Sequence, residues 1–196
     1  MTNNNSTKTR TITKEKVKGL SVSDCILIGV LLAAGVVLKQ VAGSFFNLGM
    51  KPNFIIAMYC LCILLIKPRV VDALIIGLLA GAVSQFNPGT PYINFASELA
   101  GALSMALIIR IPLKFKFKSK SLNLSVIIPA VATLISTLIS GFVFLGILYI
   151  ALYAGALVNP IPVQAFLPII FGTAFINAII VQLLYMPIKL TLKRSR

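Results

Sequence analysis

The chain has 196 residues, of which 58% are hydrophobic and only 11% are charged, and it contains no His and no Trp. A soluble domain carries about a quarter of its residues as charged side chains. The observed composition, with a mean hydropathy of +0.99, therefore excludes a soluble globular protein. The net charge of +14 falls in short blocks between long apolar runs, a pattern that indicates membrane topology and not nucleic-acid binding. The sequence predicts an all-α polytopic membrane protein.

A polar, basic tail of residues 1–20 comes first. No small-residue cleavage site follows it, so we expect a retained cytoplasmic tail and not a signal peptide. Each apolar segment after it must be helical where it meets lipid, because lipid offers the backbone no hydrogen-bond partner. The second segment is short for a ~30 Å hydrocarbon core, so we expect it to be extended at one end or partly sunk among its neighbours. The six segments are at about Ser21–Ala42, Asn53–Ile66, Val70–Phe86, Tyr92–Ile111, Leu124–Val158 and Pro162–Leu192.

The basic residues define an orientation. All but Lys39 and Lys51 of the 18 basic residues fall in the tail, in the joints after the second and fourth segments, or near the C terminus. Six spans place all of these on one side, which the positive-inside rule makes cytoplasmic. We therefore expect six transmembrane helices over 21–192, with both termini, 1–20 and 193–196, in the cytoplasm. Lys39, near a helix end, is expected to snorkel outward, whereas Lys51 is a candidate for function.

Glu98 is the exceptional acidic residue. The other three, Glu15, Asp24 and Asp72, lie in the tail or near cytoplasmic helix ends, where topology and helix-start electrostatics account for them. Glu98 lies roughly 10 Å from the outer end of the fourth segment. A carboxylate at that depth costs about 2.5–3.5 kcal/mol, so it must face protein, water or a ligand. Asn94, one turn earlier, shares its face.

Several polar residues lie near the outer half of the predicted bundle. Glu98 and Lys51 suit the ammonium and the carboxylate of a zwitterion, or they pair with each other. The asparagines are also explained by hydrogen bonds between helices, and Tyr92 by an interfacial aromatic belt. The candidate substrate-binding residues are Lys51, Asn53, Asn87, Tyr92, Asn94, Glu98 and Asn177.

Other motifs restrict the chemistry. Small residues four apart, such as Gly29/Ala33 and Gly77/Gly81, permit close helix contact, either within the chain or with a partner. There is no P-loop, no His and no G-x-S-x-G sequence, so we expect no ATP hydrolysis and no enzyme activity. Cys60 and Cys62 point to nearly opposite sides of a helix. We expect no metal site and no cofactor.

Four stretches resemble the TrpP-type tryptophan transporters. They are "NLGMKPNFIIAMYCLCILLIKPR", "ALIIGLLAGAVSQFNPGTPYINFASELAGAL", "ISGFVFLG" and "AFINAIIVQLLYMPI". Size, six helices and basic cytoplasmic loops also resemble the substrate-binding S components of energy-coupling-factor (ECF) transporters. One departure concerns Asn53 and the Ser97–Glu98 pair, where the resemblance leads us to expect an acidic residue and an Asp/Lys-like pairing.

The resemblance implies a multi-pass protein of the bacterial plasma membrane that imports tryptophan. As an S component it would bind substrate beneath the first outer loop and dock on a transmembrane coupling subunit served by two ATPases. Gly29, Ala33 and Ala34 would lie at the docking face. The alternatives are an S component for another small molecule such as a vitamin, a proton-coupled carrier for an aromatic amino acid, and a membrane scaffold that transports nothing.

Overall fold

Helices are the regular elements of the part of the chain that the structure describes. The computed structural model describes residues 19–45, 52–86, 92–111, 124–155 and 163–194. Each predicted segment contains one helix, so the predicted all-α fold is confirmed. In chain order the helices are α1 (Val22–Phe45), α2 (Ile55–Ile66), α3 (Val70–Val83), α4 (Ile93–Ile108), α5 (Leu124–Tyr153) and α6 (Val163–Arg194).

Three of these helices are long and apolar enough to cross a bilayer. The stretches that meet both requirements are Val22–Val41 of α1, Ile127–Tyr153 of α5 and Ala165–Leu192 of α6, with 20, 27 and 28 residues. Helices α2, α3 and α4 have only 12, 14 and 16 residues. At 1.5 Å per residue they extend ~18–24 Å, which is less than a ~30 Å hydrocarbon core.

Helix α2 occupies the centre of the bundle. Every residue from Phe54 to Leu64 is at most 6% exposed, and α2 contacts all five other helices. Around it, α1 packs on α3, α3 on α4, α4 on α5, and α5 on α6. A helix that is apolar on all sides is expected in a core. The shortness of the second segment is thus explained by its being sunk among its neighbours, one of the two predicted arrangements.

The surrounding helices turn large apolar side chains outward. Val30 on α1, Leu78 on α3, Ile135 on α5 and Leu183 on α6 are 62%, 48%, 38% and 68% exposed. Similar residues recur along each of these four helices. Continuous outward apolar faces of this kind are unfavourable in water and are what a lipid environment requires.

Helices α3 and α4 approach each other closely at two glycines. A methyl group at Gly77 would lie 2.8 Å from Ala102 Cβ, and one at Gly81 would lie 2.8 Å from Phe95 Cα. Only glycine fits at such distances, so this pair of small residues serves packing within the chain. At Gly29 of α1, by contrast, an added methyl group would meet nothing within 4 Å.

The connection between α2 and α3 is fixed by polar contacts. Lys67 ends α2 in the left-handed conformation, with φ 51°, and Pro68 follows. The Asp72 carboxylate accepts hydrogen bonds from the backbone N–H of Arg69, at 3.3 Å, and from its Nε, at 2.9 Å. Arg110, after α4, donates to the Pro68 carbonyl. These contacts hold α2, α3 and α4 together at the end of the bundle opposite the candidate site.

Candidate functional site

The buried carboxylate of Glu98 is the centre of the candidate site. Glu98 is 0% exposed and lies about 8 Å along α4 from its first residue, Ile93, at 1.5 Å per residue. On the preceding turn, Asn94 and Ser97 are also buried, at 7% and 2% exposure. The inward orientation predicted for Glu98 is therefore confirmed. A carboxylate so placed requires hydrogen-bond partners.

Two of the predicted asparagines join Glu98 in a hydrogen-bonded group, which we call the Glu98 cluster (Asn53, Glu98 and Asn177). Asn53 Nδ2 donates to Glu98 Oε1, and Asn53 Oδ1 accepts from the Ile55 N–H at 3.3 Å. Asn177 Nδ2 donates to the Asn53 carbonyl at 3.1 Å and to Thr137 Oγ1 at 3.5 Å. An amide at position 53 can donate to a carboxylate, which an ionised acid there cannot do.

Three buried polar atoms, two in this cluster and one on Tyr59, have no hydrogen-bond partner among the described residues. They are Glu98 Oε2, Asn177 Oδ1 and the Tyr59 hydroxyl, and all three residues are 0% exposed. Buried polar atoms are nearly always paired, and leaving one unpaired costs about 1–3 kcal/mol. Glu98 Oε2 and Asn177 Oδ1 are acceptors. They suit a ligand that donates hydrogen bonds, such as one with an ammonium group.

Lys39 lies inside the bundle, and the outward snorkelling expected from the sequence is wrong. Its side chain is only 8% exposed, and its Nζ donates to the Ser84 carbonyl at 3.3 Å. Ser84 follows the last residue of α3, where carbonyl groups lack helical partners and attract donors. Lys39 is also near enough to Glu98 to act on it electrostatically. A cation and an anion are thus buried at the same end of the bundle.

A row of hydroxyl groups on α5, absent from the predicted site, faces the interior near the cluster. Ser136 Oγ donates to the Gly101 carbonyl at 2.8 Å and accepts from Cys60 Sγ at 3.4 Å. The spacing of these residues in the sequence could have predicted the row, because residues at i, i+3, i+4 and i+7 share one face of a helix. Its members, each at most 2% exposed, are Thr133, Ser136, Thr137 and Ser140.

Tyr59 on α2 is a second residue absent from the predicted set. Its ring is fully buried, and its hydroxyl oxygen would lie 2.0 Å from a methyl group added at Gly101. Because Gly101 has no side chain, the Tyr59 hydroxyl can pack against α4 one turn below Glu98.

The other predicted binding residues do not all lie at the Glu98 cluster. Asn94 shares the buried face of Glu98. Tyr92 is 76% exposed at the start of α4, and its backbone N–H donates to Gln85 Oε1 at 3.2 Å, so its side chain is not brought to the cluster. Lys51 and Asn87 lie outside the described residues.

The predicted docking residues Gly29, Ala33 and Ala34 all lie on an exposed face of α1, where Val30 also points outward. Within the part of the chain that the structure describes, His, Cys, Asp and Glu side chains do not gather in groups of three that could hold a metal ion.

Outward apolar faces around a buried, hydrogen-bonded carboxylate define a helical membrane protein with an internal polar site. The chain belongs to the TrpP tryptophan transporter family, whose model, described as tryptophan transporter TrpP, matches residues 21–193. It is also 30% identical over 177 residues to a probable tryptophan transport protein of Clostridium acetobutylicum, a match that covers 89% of this chain and 96% of the relative. No solved structure matches the chain. The resemblance recognised in the four sequence stretches is confirmed.

Proposed function

We propose that this protein imports tryptophan across the bacterial plasma membrane and that the Glu98 cluster binds the amino acid. The observation that carries the proposal is the fully buried carboxylate of Glu98, with one oxygen held by Asn53 and the other unpaired among the described residues. The ammonium group of an amino acid pairs with such an oxygen through a charge-assisted hydrogen bond. Asn94, Lys51 and Asn87 are further candidates for this site, and Tyr92, exposed at the start of α4, is a candidate outside the cluster.

The proposed topology has six spans over 21–192, with the tail 1–20 and the residues 193–196 in the cytoplasm. Support comes from the distribution of basic residues along the sequence, which follows the positive-inside rule for six spans. The short helices α2, α3 and α4 cross the bilayer in this proposal with the help of the long helices packed around them.

The energy for transport comes, in this proposal, from partner proteins of the ECF type. The chain is the substrate-capture subunit, and it docks on a transmembrane coupling subunit served by two ATPases. The absence of a P-loop from the sequence and the exposure of Gly29, Ala33 and Ala34 on α1 support this arrangement, because small residues allow a partner helix to approach closely.

Glu98→Gln tests the site. The substitution keeps the size of the side chain and removes its charge, so we expect tryptophan binding to weaken by at least about 30-fold, from the 2 kcal/mol or more that loss of a buried charge partner costs. Asp72→Asn is the matched control, because Asp72 is a second buried carboxylate, 6% exposed, at the opposite end of the bundle. Equal affinity of wild-type protein and Glu98→Gln would refute the site.

A proton-coupled carrier is the second candidate, favoured by the buried Glu98 beside the hydroxyl row of α5. In that function Glu98 exchanges a proton during each transport cycle. Tryptophan uptake by cells treated with an uncoupler while ATP is maintained separates the two functions. Uptake that persists supports the ATP-driven arrangement, and uptake that collapses supports the carrier.

A further inference from the structure

Lys39 is a buried cation that the proposed function leaves without a role. A lysine held within a membrane-embedded bundle is costly and marks a functional site more often than a structural one. Its Nζ contacts the Ser84 carbonyl, which gives it a structural role as a tie between α1 and the end of α3.

The neighbouring Gln40 argues that this tie does not require a charge. Gln40 Nε2 donates to the Phe86 carbonyl at 3.1 Å, so a neutral side chain from the same turn of α1 already binds the same end of α3. The positive charge of Lys39 therefore needs a separate explanation.

Among the described residues, the acidic side chain at the same end of the bundle as Lys39 is Glu98. Of the chain's four acidic residues, Asp24 and Asp72 lie in the first turns of α1 and α3, at the opposite end of the bundle, and Glu15 lies outside the described residues. Lys39 is about 9 Å from the last residue of α1, Phe45, and Glu98 about 8 Å from the first residue of α4, at 1.5 Å per residue. Both residues thus lie within two turns of helix ends at the same end of the bundle.

Each of these two groups has an uncharged hydrogen-bond partner among the described residues. The Lys39 ammonium donates to the Ser84 carbonyl, and Glu98 accepts from the Asn53 amide. A zwitterionic molecule offers an ammonium to one and a carboxylate to the other, and so satisfies both charges at once.

We propose that Lys39 is the carboxylate-binding residue of the site and that it forms, with Glu98, a two-charge clamp for the backbone of a free amino acid. The proposal rests on the proposed function and extends it by assigning the substrate's carboxylate to a residue of α1. It also gives the site its selectivity, because an indole compound that lacks either charge loses one of the two charge-assisted contacts of the clamp.

Three ligands test the clamp on the purified, full-length protein: L-tryptophan, tryptamine, which lacks the carboxylate, and indole-3-propionate, which lacks the ammonium group. Equilibrium dissociation constants are measured for each by calorimetry. In the wild-type protein we expect tryptamine to bind at least about 30-fold more weakly than tryptophan, the lower end of what removing one partner of a buried charge pair costs. Equal affinity for the two ligands would overturn the proposal without any variant.

Lys39→Gln removes the charge and keeps a donor for the Ser84 carbonyl. We expect tryptophan to bind this variant with about the affinity that tryptamine has for wild-type protein, while tryptamine binding changes by less than about threefold, because tryptamine never used the charge. Gln40→Met is the matched control for the α1–α3 tie and should keep the wild-type ratio of the two constants.

The other outcomes contradict the clamp in distinguishable ways. An equal loss of tryptophan and tryptamine binding in Lys39→Gln would assign Lys39 a structural role only. If Lys51→Met abolished the difference between the tryptophan and tryptamine dissociation constants while Lys39→Gln kept it, the substrate carboxylate would be assigned to Lys51. Failure of wild-type protein to bind tryptophan at all would overturn the proposed function itself.

Discussion

Gly101→Ala is the substitution for which the structure gives the most direct expectation. Gly101 lies on α4 one turn below Glu98, and a methyl group there would meet the Tyr59 hydroxyl oxygen at 2.0 Å and Ser140 Cβ at 3.0 Å. The first contact is more than 1 Å too short for a carbon and an oxygen, since such pairs rest near 3.5 Å. Tyr59 is fully buried on the central helix α2, so its ring cannot turn aside into open space.

The magnitude follows from two opposing effects. Inserting a methyl group into a filled core costs about 1–3 kcal/mol, and a contact this short belongs near the upper end. Replacing glycine by alanine within a helix returns at most about 1 kcal/mol. The expected net loss is about 2 kcal/mol, which lowers the melting temperature of a domain of this size by about 4–8 °C.

Thermal unfolding of the purified protein in detergent measures this loss. Gly146→Ala on α5 is the matched control, because nothing lies within 4 Å of a methyl group there, and it should be at least as stable as wild-type protein. In a Tyr59→Phe background the nearest ring atom is Cζ at 3.2 Å, so Gly101→Ala should then cost distinctly less. A Gly101→Ala variant that melts at the wild-type temperature, or that Tyr59→Phe fails to rescue, would refute the reasoning.

Three further predictions concern packing and hydrogen bonds. Gly77→Ala places a methyl group 2.8 Å from a side chain of α4, whereas Gly29→Ala meets nothing within 4 Å; only the first should lower the melting temperature, and equal effects would contradict the assigned α3–α4 contact. Asn177→Ala removes the donor to the carbonyl before α2 and should cost about 1–3 kcal/mol, measured by the same thermal assay; unchanged stability would contradict this hydrogen bond. Arg110→Met removes the donor to the Pro68 carbonyl, so the amides of the α2–α3 connection should exchange hydrogen faster by mass spectrometry, and unchanged exchange would contradict the tie.

Hydropathy alone predicted the helices and the burial of Glu98. Apolar runs must become helices in lipid, and a single carboxylate within such a run has to turn inward. The shortness of the second segment similarly indicated a helix sunk among others. These inferences depend only on the composition and the spacing of residues within one segment, and both are known from the sequence without a structure.

Contacts between segments were harder to predict. Burial of Lys39 and snorkelling of Lys39 are equally compatible with a lysine near a helix end, and only the packing of α1 on the end of α3 decides between them. Tyr59 and the hydroxyl row of α5 were missed because their significance depends on the relative register of α2, α4 and α5. The sequence of its own segment does not distinguish Tyr59 from the other core residues of α2.

Equilibrium binding of L-tryptophan to the isolated, purified wild-type chain tests the central claim most directly, with other amino acids and vitamins as competitors. The account predicts saturable binding at one site, displaced by unlabelled tryptophan and not by unrelated amino acids or vitamins. Absence of tryptophan binding, or displacement by a chemically unrelated nutrient, would contradict a tryptophan site built around Glu98.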